Sequence, residues 1–364
     1  MTYNTDNSIY IIAEAGVNHN GEPNLAFELI DVASGSGADA VKFQTFNSEM
    51  LVTKQAAKAD YQKVNTKCNE NQLSMLKKLE LPVSIWFELR DYCNKKNIEF
   101  LSTAFDYESL RFLVNEINID KLKIPSGEIT NGPFLLAHAK TGLNIILSTG
   151  MSTLEEVREA LAVLAYGYLE PRQDGNLSKN LFNEAFISEE GHNMLKEKVT
   201  LLHCTSEYPA PYEEINLKAM NTMMEEFCLN VGYSDHSEGV LVPSIATAMG
   251  ATLIEKHFTL DKTMSGPDHK ASLNPEELRE MIKSIRLVEK LIGNGIKTPQ
   301  KSELSNRDVV RKSIVAKKDI SQGEKFTLDN ITIKRPGTGK SPMDFWDVLG
   351  RISNKNYSED QIID

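Results

Sequence analysis

Two histidines carry the clearest chemical signal in this chain. His236 and His257 each stand at the end of a short β-branched run, and the two runs follow one another in the sequence. If these runs are neighbouring parallel strands, both imidazoles converge on one point at the same edge of the sheet. Two imidazoles with open positions beside them suit a divalent metal that also binds water and a substrate oxygen. We therefore predict that His236 and His257 are metal ligands.

A second group of side chains has the chemistry of an anion site. Lys42, Lys123, Ser126 and Ser148 fall at the ends of three further predicted strands. Ammonium groups and hydroxyls that converge can bind a carboxylate or a phosphate. Alternatively, one lysine forms a Schiff base, as in barrel aldolases. In the plainest alternative the lysines form salt bridges with nearby carboxylates, namely Glu14, Glu128 or Glu255.

More polar side chains follow the same predicted strands than folding requires. The further candidates are Glu14, Gln44, Thr103, Glu128, Ser206, Tyr208, Ser234 and Asp268. In a barrel of alternating strands and helices, the reacting groups lie at the carboxyl ends of the strands. The accumulation therefore predicts one polar site at that end.

The elements that must position these residues are short β-branched runs between longer helical patterns, which is typical of a parallel sheet. The eight runs are Ile9 to Glu14, Ala40 to Gln44, Glu99 to Thr103, Lys121 to Ser126, Asn144 to Thr149, Val199 to Cys204, Leu229 to Ser234 and Thr252 to His257. Eight strands are the number in a TIM barrel, whereas doubly wound sheets more often have five or six. We predict an α/β fold with a TIM (β/α)8 barrel.

The remaining sequence suggests how the chain is divided. Ser152 with Glu155 predicts a capping box, and the polar stretch 166–197 predicts an insertion between the fifth and sixth strands. For the whole chain, we expect a catalytic barrel over residues 1–295, a linker over 296–311 and a small β-rich domain over 312–364.

Composition limits the partners. The chain has 364 residues, with 40 Lys and Arg against 51 Asp and Glu, and a formal net charge of −11. This balance argues against nucleic acid or an anionic membrane as partner, so a cationic pocket must be built from specific lysines. We find no signal peptide or membrane span in the sequence and expect a cytoplasmic protein. Its cysteines lack CxxC spacing and are expected to be reduced and buried: Cys68, Cys93, Cys204 and Cys228.

Read in order, eight segments resemble the successive signatures of the sialic acid synthases. They are IIAEAGVNHNG, AVKFQTF, KIPSGEITN, ILSTGM, LLHCTSEYPAPY, VGYSDHSEG, EKHFTLDKTMSGPDHKAS and RKSIVAKKDISQGEKFTLDNITIKRPGTG, and they span about residues 8 to 355. The resemblance implies that phosphoenolpyruvate condenses with an open-chain N-acetylated hexosamine, giving a nine-carbon 2-keto acid and phosphate. It also implies a TIM barrel with a C-terminal antifreeze-like (SAF) domain, in a domain-swapped homodimer.

The resemblance also implies roles for individual residues. It makes His236 and His257 ligands of Mn²⁺ or Mg²⁺. Further matches at the phosphoenolpyruvate site are Lys42, Lys123, Ser126, Ser148 and Ser234. Matches around the sugar and the reacting centre are Glu14, Gln44, Glu128, Tyr208 and Asp268. Arg335, in KRPGTG, matches an arginine that reaches from the small domain of one subunit into the barrel of the other.

Two positions depart from the family pattern, and several functions stay open. Ala104 stands where relatives usually have proline, and Ser206 where they have Asn or Thr. The acceptor sugar is N-acetylmannosamine, which would give N-acetylneuraminate, or a 2,4-diacetamido-6-deoxyhexose, which would give legionaminate or pseudaminate. IPSGEITN and RPGTGKSP resemble the pseudaminate branch less. Outside the family, a Schiff-base aldolase and a non-catalytic sugar-binding or ice-binding protein are the alternatives.

Overall fold

Eight parallel strands close into a barrel in the first part of the chain. In the computed structural model of the chain, the described residues are 8–66, 70–172, 175 and 177–364. The strands pair in chain order, and β1 closes the ring against β8. They are β1 Tyr10–Gly16, β2 Ala40–Thr45, β3 Glu99–Ala104, β4 Lys121–Ile124, β5 Asn144–Ser148, β6 Val199–His203, β7 Asn230–Asp235 and β8 Leu253–His257. The predicted TIM barrel is confirmed.

Helices connect the strands. In this part of the chain they are α1 Pro23–Ser36, α2 Ser48–Leu51, α3 Asp60–Thr66, α4 Gln72–Lys77, α5 Val83–Lys95, α6 Tyr107–Phe112, α7 Gly132–Ala139, α8 Leu154–Leu169, α9 Lys179–Ile187, α10 Glu189–Lys198, α11 Lys218–Phe227, α12 Leu241–Ala248 and α13 Pro275–Ile292. A π-helical turn, Leu113–Ile117, continues α6. Short 3₁₀ turns lie at Ser126–Glu128, Tyr212–Glu214 and His269–Ala271.

The helices cover the barrel with their apolar faces, and α13 shows how the sequence specifies one of them. Asn274 accepts hydrogen bonds from the first-turn amides, and Glu277 completes a capping box. Leu278, Met281, Ile282 and Ile285 share the buried face. Gly293 follows the last helical residue. This helix joins a large core of strands and helices.

The barrel interior is closed at its base by an apolar layer. This layer consists of Ile12, Ala40, Leu101, Ile146, Leu202 and Leu253, one from each of six strands. Side chains alternate across a strand, so the residue two positions later faces the same interior, nearer the carboxyl end. Those residues are Glu14, Lys42, Thr103, Ser148, Cys204 and Glu255. The strand period thus places a polar layer directly above the apolar one.

One local expectation differs from the structure by one residue. The capping box of α8 uses Thr153 and Glu156, one residue later than expected, because the Thr153 hydroxyl accepts the Glu156 amide and Glu156 reaches back to the Thr153 amide. The 166–197 stretch contributes the end of α8 and the helices α9 and α10, which pack on α8. It therefore belongs to the helical shell.

Cysteine state and possible membrane spans can be reported for the described residues. Cys93, Cys204 and Cys228 are free thiols; Cys228 is exposed, against expectation, and Cys68 lies outside the described residues. Within the described ranges, we find no helix with the length and apolar character needed to cross a membrane.

The chain divides into two compact units, the first ending at Asn294 and the second covering Gly295–Asp364. The second unit contains a 3₁₀ turn at Lys301–Glu303, α14 Leu304–Val310, β9 Ser313–Ala316, β10 Ile331–Lys334, a 3₁₀ turn at Pro342–Asp344 and α15 Phe345–Val348. β9 and β10 are antiparallel. Their small core includes Ile314, Ile331 and Tyr357. The segment expected to be a linker thus contains a helix.

Candidate active site

A cavity of about 470 Å³ opens at the carboxyl ends of the barrel strands. All the barrel residues predicted from the sequence line it: Glu14, Lys42, Gln44, Thr103, Lys123, Ser126, Glu128, Ser148, Ser206, Tyr208, Ser234, His236, His257 and Asp268. The fold thus brings together side chains that lie up to 254 positions apart in the chain (268 − 14). Arg335 directly follows β10 in the second unit and is exposed.

Two lysines and two carboxylates form the floor of the cavity. Lys42 Nζ lies 2.6 Å from Glu14 Oε2 and 3.5 Å from Glu255 Oε2, while Lys123 Nζ lies 3.2 Å from Glu255 Oε1. Lys42 Nζ also donates to Thr103 Oγ1 at 3.1 Å, and Ser234 Oγ donates to Glu255 Oε1 at 2.8 Å. The salt bridges that the sequence left open with Glu14 and Glu255 are therefore present.

The two carboxylates differ in charge state. Burial raises the pKa of Glu14 to about 7, against the opposing effect of Lys42. Burial would also raise the pKa of Glu255, but Lys123, Lys42 and the Ser234 hydroxyl outweigh it and hold this pKa well below its usual range. Glu255 therefore stays ionised, whereas Glu14 exchanges a proton near neutral pH. With Glu14 protonated, two ammonium groups face one carboxylate, and the floor attracts an anion.

A set of small polar groups lies beside this floor. Gly150 N–H donates to Ser126 Oγ at 3.0 Å, and Ser126 Oγ lies 3.2 Å from Cys204 Sγ. A Cβ on Gly150 would lie only 2.4 Å from Ser206 Oγ and 2.8 Å from Ser126 Oγ, so a larger residue would push these hydroxyls aside. The Ser148 hydroxyl is buried without a hydrogen-bond partner among the described residues. These groups suit the oxygens of a phosphate or carboxylate.

The two histidines converge as predicted. Their ring centroids are 5.7 Å apart, and the Tyr208 ring lies 4.2 Å from His236 and 5.7 Å from His257. His236 Nδ1 donates to the Thr205 carbonyl at 2.6 Å, which leaves its Nε2 lone pair available. His257 Nδ1 is buried and has no hydrogen-bond partner among the described residues.

The chemistry of this pair fits a divalent metal. Burial lowers the pKa of both histidines, which keeps the imidazoles neutral, the state that binds metals. Over the described ranges, no group of three or more His, Cys, Asp or Glu is arranged to hold an ion by itself. Other ligands would then have to come from water and substrate, as in an open catalytic site.

Two further predicted acids line the cavity. Burial raises the pKa of Asp268 to about 6. Glu128 lies on the 3₁₀ turn after β4 and accepts a hydrogen bond from Asn131 Nδ2 at 2.7 Å. Asp268 therefore keeps its proton at pH values where an ordinary aspartate has lost it.

Sequence reasoning missed three parts of the cavity. Glu255 was placed at the end of its strand but given no role beyond a salt bridge with a lysine, and Cys204 was considered only as a thiol. Both follow an interior apolar residue by two positions, and this period would have identified them. The apolar part of the lining had no such signal; it consists mainly of Phe46, Leu51, Val52, Met75, Leu76 and Leu79.

The barrel and its cavity define a class of protein: an enzyme whose strand-end site combines an anion pocket with a histidine pair. Comparison with known proteins gives the family. The NeuB family matches residues 29–297, and the SAF domain matches residues 311–364. The chain therefore belongs to the NeuB family, the sialic acid synthases, and it is an enzyme.

Three individual members of the family are similar to this chain over most of its length. An N,N'-diacetyllegionaminic acid synthase from Campylobacter jejuni is 50% identical and covers 97% of this chain and 98% of its own. One from Legionella pneumophila is 45% identical and covers 96% and 91%. The solved structure of an N-acetylneuraminic acid synthetase from Leptospira borgpetersenii has a TM-score of 0.66 at 34% identity, and covers 82% of this chain and 90% of that one.

Proposed function

We propose that this enzyme condenses phosphoenolpyruvate with open-chain 2,4-diacetamido-2,4,6-trideoxymannose to give N,N'-diacetyllegionaminate and phosphate. One observation carries the reaction class: a lysine-lined anion pocket and a neutral histidine pair share one cavity. The choice of acceptor is supported by the identity of 45–50% to two legionaminic acid synthases, against 34% to the neuraminic acid synthetase.

The anion pocket positions phosphoenolpyruvate. Lys42 and Lys123 hold the carboxylate and phosphate, and the Ser126 and Ser148 hydroxyls donate to the remaining oxygens. Orientation contributes much of the rate when two reactants must meet, because it removes the entropy of bringing them together. C3 of phosphoenolpyruvate then attacks the aldehyde carbon of the sugar, and a C–C bond forms as the enol π-bond is used.

Water completes the reaction. It adds to C2, and the resulting tetrahedral carbon expels phosphate with cleavage of the C–O bond. Glu14, with a pKa of about 7, is suited to take the proton from this water and to pass it on. Asp268 and Glu128 are the further acids at the cavity.

His236 and His257 would hold the divalent metal, Mn²⁺ or Mg²⁺. Such an ion supplies a Lewis acid for the carbonyl oxygen of the sugar, where negative charge develops. The support is the neutral state of both imidazoles and the unpartnered His257 Nδ1. We also propose a domain-swapped homodimer in which Arg335 of one subunit reaches the sugar in the other; this rests on the resemblance.

Phosphate release tests the proposal. The enzyme is incubated with phosphoenolpyruvate, Mn²⁺ and one acceptor at a time: the diacetamido-trideoxymannose, N-acetylmannosamine or the pseudaminate precursor. We expect the highest kcat/KM with the first and loss of activity with EDTA or in His236→Ala. Preference for another acceptor would reassign the branch, and inactivity with all three would refute the function.

A borohydride experiment separates the synthase from an aldolase. Burial lowers the pKa of Lys123, as a Schiff-base lysine requires, so the chain offers a candidate nucleophile. We nevertheless expect no lysine to be labelled when borohydride is added with pyruvate. A labelled Lys123 would favour the aldolase.

A further inference from the structure

The cavity has two chemically different sides. The part contributed by the connection between β2 and α5 consists mostly of aliphatic and aromatic side chains, which we call the apolar wall: Phe46, Leu51, Val52, Met75, Leu76 and Leu79. The polar Gln62 and Gln72 of the same connection also line the cavity. These residues form a hydrophobic cluster of their own with Val17, separate from the barrel core. Met75, Leu76 and Leu79 are buried.

The apolar wall is an addition to the barrel. The connection between β2 and β3 already contains α5, which packs on β3 and α1 as the shell helix of this unit. Helices α2, α3 and α4 precede α5 and are not needed to close a (β/α)8 barrel. In such folds, additional segments at the carboxyl ends of the strands commonly bind the substrate.

Val17, which shares a hydrophobic cluster with the apolar wall, follows a residue that lies beside His257. A Cβ on Gly16 would lie 3.5 Å from His257 Cε1, and Val17 is the next residue. On the other side Phe46 packs edge-on against Phe105, with ring centroids 6.2 Å apart, and both rings line the cavity. A molecule held at the histidines therefore meets aliphatic and aromatic surface as it extends away from them.

Phosphoenolpyruvate does not use this surface, because its charged groups belong with the lysines. We propose that the apolar wall binds the C6 methyl end of the acceptor sugar and selects a 6-deoxy sugar over a 6-hydroxy sugar. This inference rests on the proposed function, since it assumes that the sugar aldehyde lies at the histidines. A methyl group gains from contact with such a wall, whereas a hydroxymethyl group would lose its hydrogen bonds to water.

Acceptors that differ at one group isolate this effect. N-acetylmannosamine and 2-acetamido-2,6-dideoxymannose differ only by the hydroxyl on C6. We expect the wild-type enzyme to favour the 6-deoxy sugar by about 10- to 100-fold in kcat/KM, the range that one group in a hydrophobic pocket supplies. Equal kcat/KM for the two sugars would overturn the inference.

Exchange of one side chain tests the wall itself. Met75→Gln keeps the approximate size of the side chain and adds a polar amide at a position that is 4% exposed. We expect the preference for the 6-deoxy sugar to fall about tenfold, with the KM for phosphoenolpyruvate unchanged. Met50→Gln is the matched control, because Met50 is 50% exposed and lies outside the cavity lining; its preference should equal that of the wild type.

A second variant guards against misfolding. If Met75→Gln does not give a folded protein by circular dichroism, Val52→Thr introduces a hydroxyl on the partly exposed part of the wall with almost no change in shape. An unchanged preference in a folded variant contradicts the inference. Failure of every acceptor to release phosphate would instead refute the proposed function, so the two failures are distinguishable.

Discussion

Individual residues at the cavity have protonation states that their environment determines. Glu14 and Glu255 both face Lys42, yet burial raises the pKa of the first to about 7 while two lysines hold that of the second low. Two carboxyl groups with separated pKa values are typical of sites that need one proton carrier and one permanent charge. Glu255 therefore provides the permanent negative charge beside the lysines, although it is the same type of residue as Glu14.

Asp268 should make the protein less stable as the pH rises. Burial raises its pKa from 3.8 to about 6, so between these values the folded chain binds more protons than the unfolded chain. The free energy of unfolding then falls with rising pH, by about 3 kcal/mol in total. In metal-free protein, Asp268→Asn should match the wild type near pH 4 and exceed it by about 2–3 kcal/mol near pH 8. Urea unfolding at both pH values measures this, and a difference that does not depend on pH would contradict it.

Gly150 offers a test of the anion pocket with a matched control. A methyl group there would displace the Ser206 and Ser126 hydroxyls, whereas Gly127, also at the cavity, has nothing within 4 Å of an added Cβ. We expect Gly150→Ala to raise the KM for phosphoenolpyruvate about tenfold or more, which corresponds to the loss of one or two hydrogen bonds. Gly127→Ala should keep the wild-type value. Equal KM values for phosphoenolpyruvate in the two variants would show that the hydroxyls beside Gly150 do not bind this substrate.

At the scale of elements, the strand ends were predictable because the strand pattern and the flanking helical patterns mark the same boundaries. Polar residues such as Lys42 and Glu255 stand in the last part of a β-branched run, and the run itself is bounded by helical patterns. The N-cap of α8 was misplaced by one residue because Ser152 and Thr153 both offer a hydroxyl, and only the three-dimensional turn decides between them. Helices α2 to α4 escaped prediction, since nothing in a short apolar stretch tells a cavity wall from a core.

The strands that present the two histidines are joined by a buried ion pair. Lys256 Nζ on β8 lies 2.6 Å from Asp235 Oδ2 on β7 and donates to the Ser237 carbonyl at 2.5 Å, with both side chains at most 1% exposed. Each member is next to one histidine of the pair. The link therefore holds His236 and His257 in register with one another.

Breaking this link should be costly. Lys256→Met leaves the Asp235 charge buried without a counter-ion, so the free energy of unfolding should fall by about 3–5 kcal/mol. Adding Asp235→Asn removes that charge and should recover part of the loss. Lys63→Met is the control, because its pair with Asp60 is exposed and should change stability by less than about 1 kcal/mol. Urea unfolding of the wild type, Lys256→Met, the double variant and Lys63→Met measures these differences, and a Lys256→Met loss as small as that of the control would contradict the role of the ion pair.

On the scale of the whole molecule, the net charge and the positions of individual lysines indicate different kinds of partner. A net charge of −11 disfavours polyanionic partners, yet two lysines at one strand-end surface still provide an anion pocket. The SAF domain match accounts for the second unit as a family feature. The role proposed for Arg335 was not predictable from the pattern of residues in this unit, because an arginine in a Pro/Gly loop would ordinarily be a solvated side chain.

Arg335 should be needed for turnover although it lies outside the barrel unit. We expect Arg335→Ala to lower kcat/KM for the sugar at least tenfold, as loss of one charged hydrogen bond to a substrate does. Arg351→Ala, which removes another exposed arginine of the same unit, should have no effect.

Subunit exchange then tests whether the site is shared between chains. We expect Arg335→Ala to keep at most about a tenth of the wild-type activity and His236→Ala to keep almost none, but a mixed dimer would contain one site with both residues intact. After complete exchange of equal amounts, half of the dimers are mixed and each has one working site of two, so activity should recover to about a quarter of the wild-type value. Exchange is followed by native mass spectrometry of differently tagged subunits. If mixed dimers form and activity does not return, Arg335 does not act across the interface, and the domain-swapped arrangement is wrong for this enzyme.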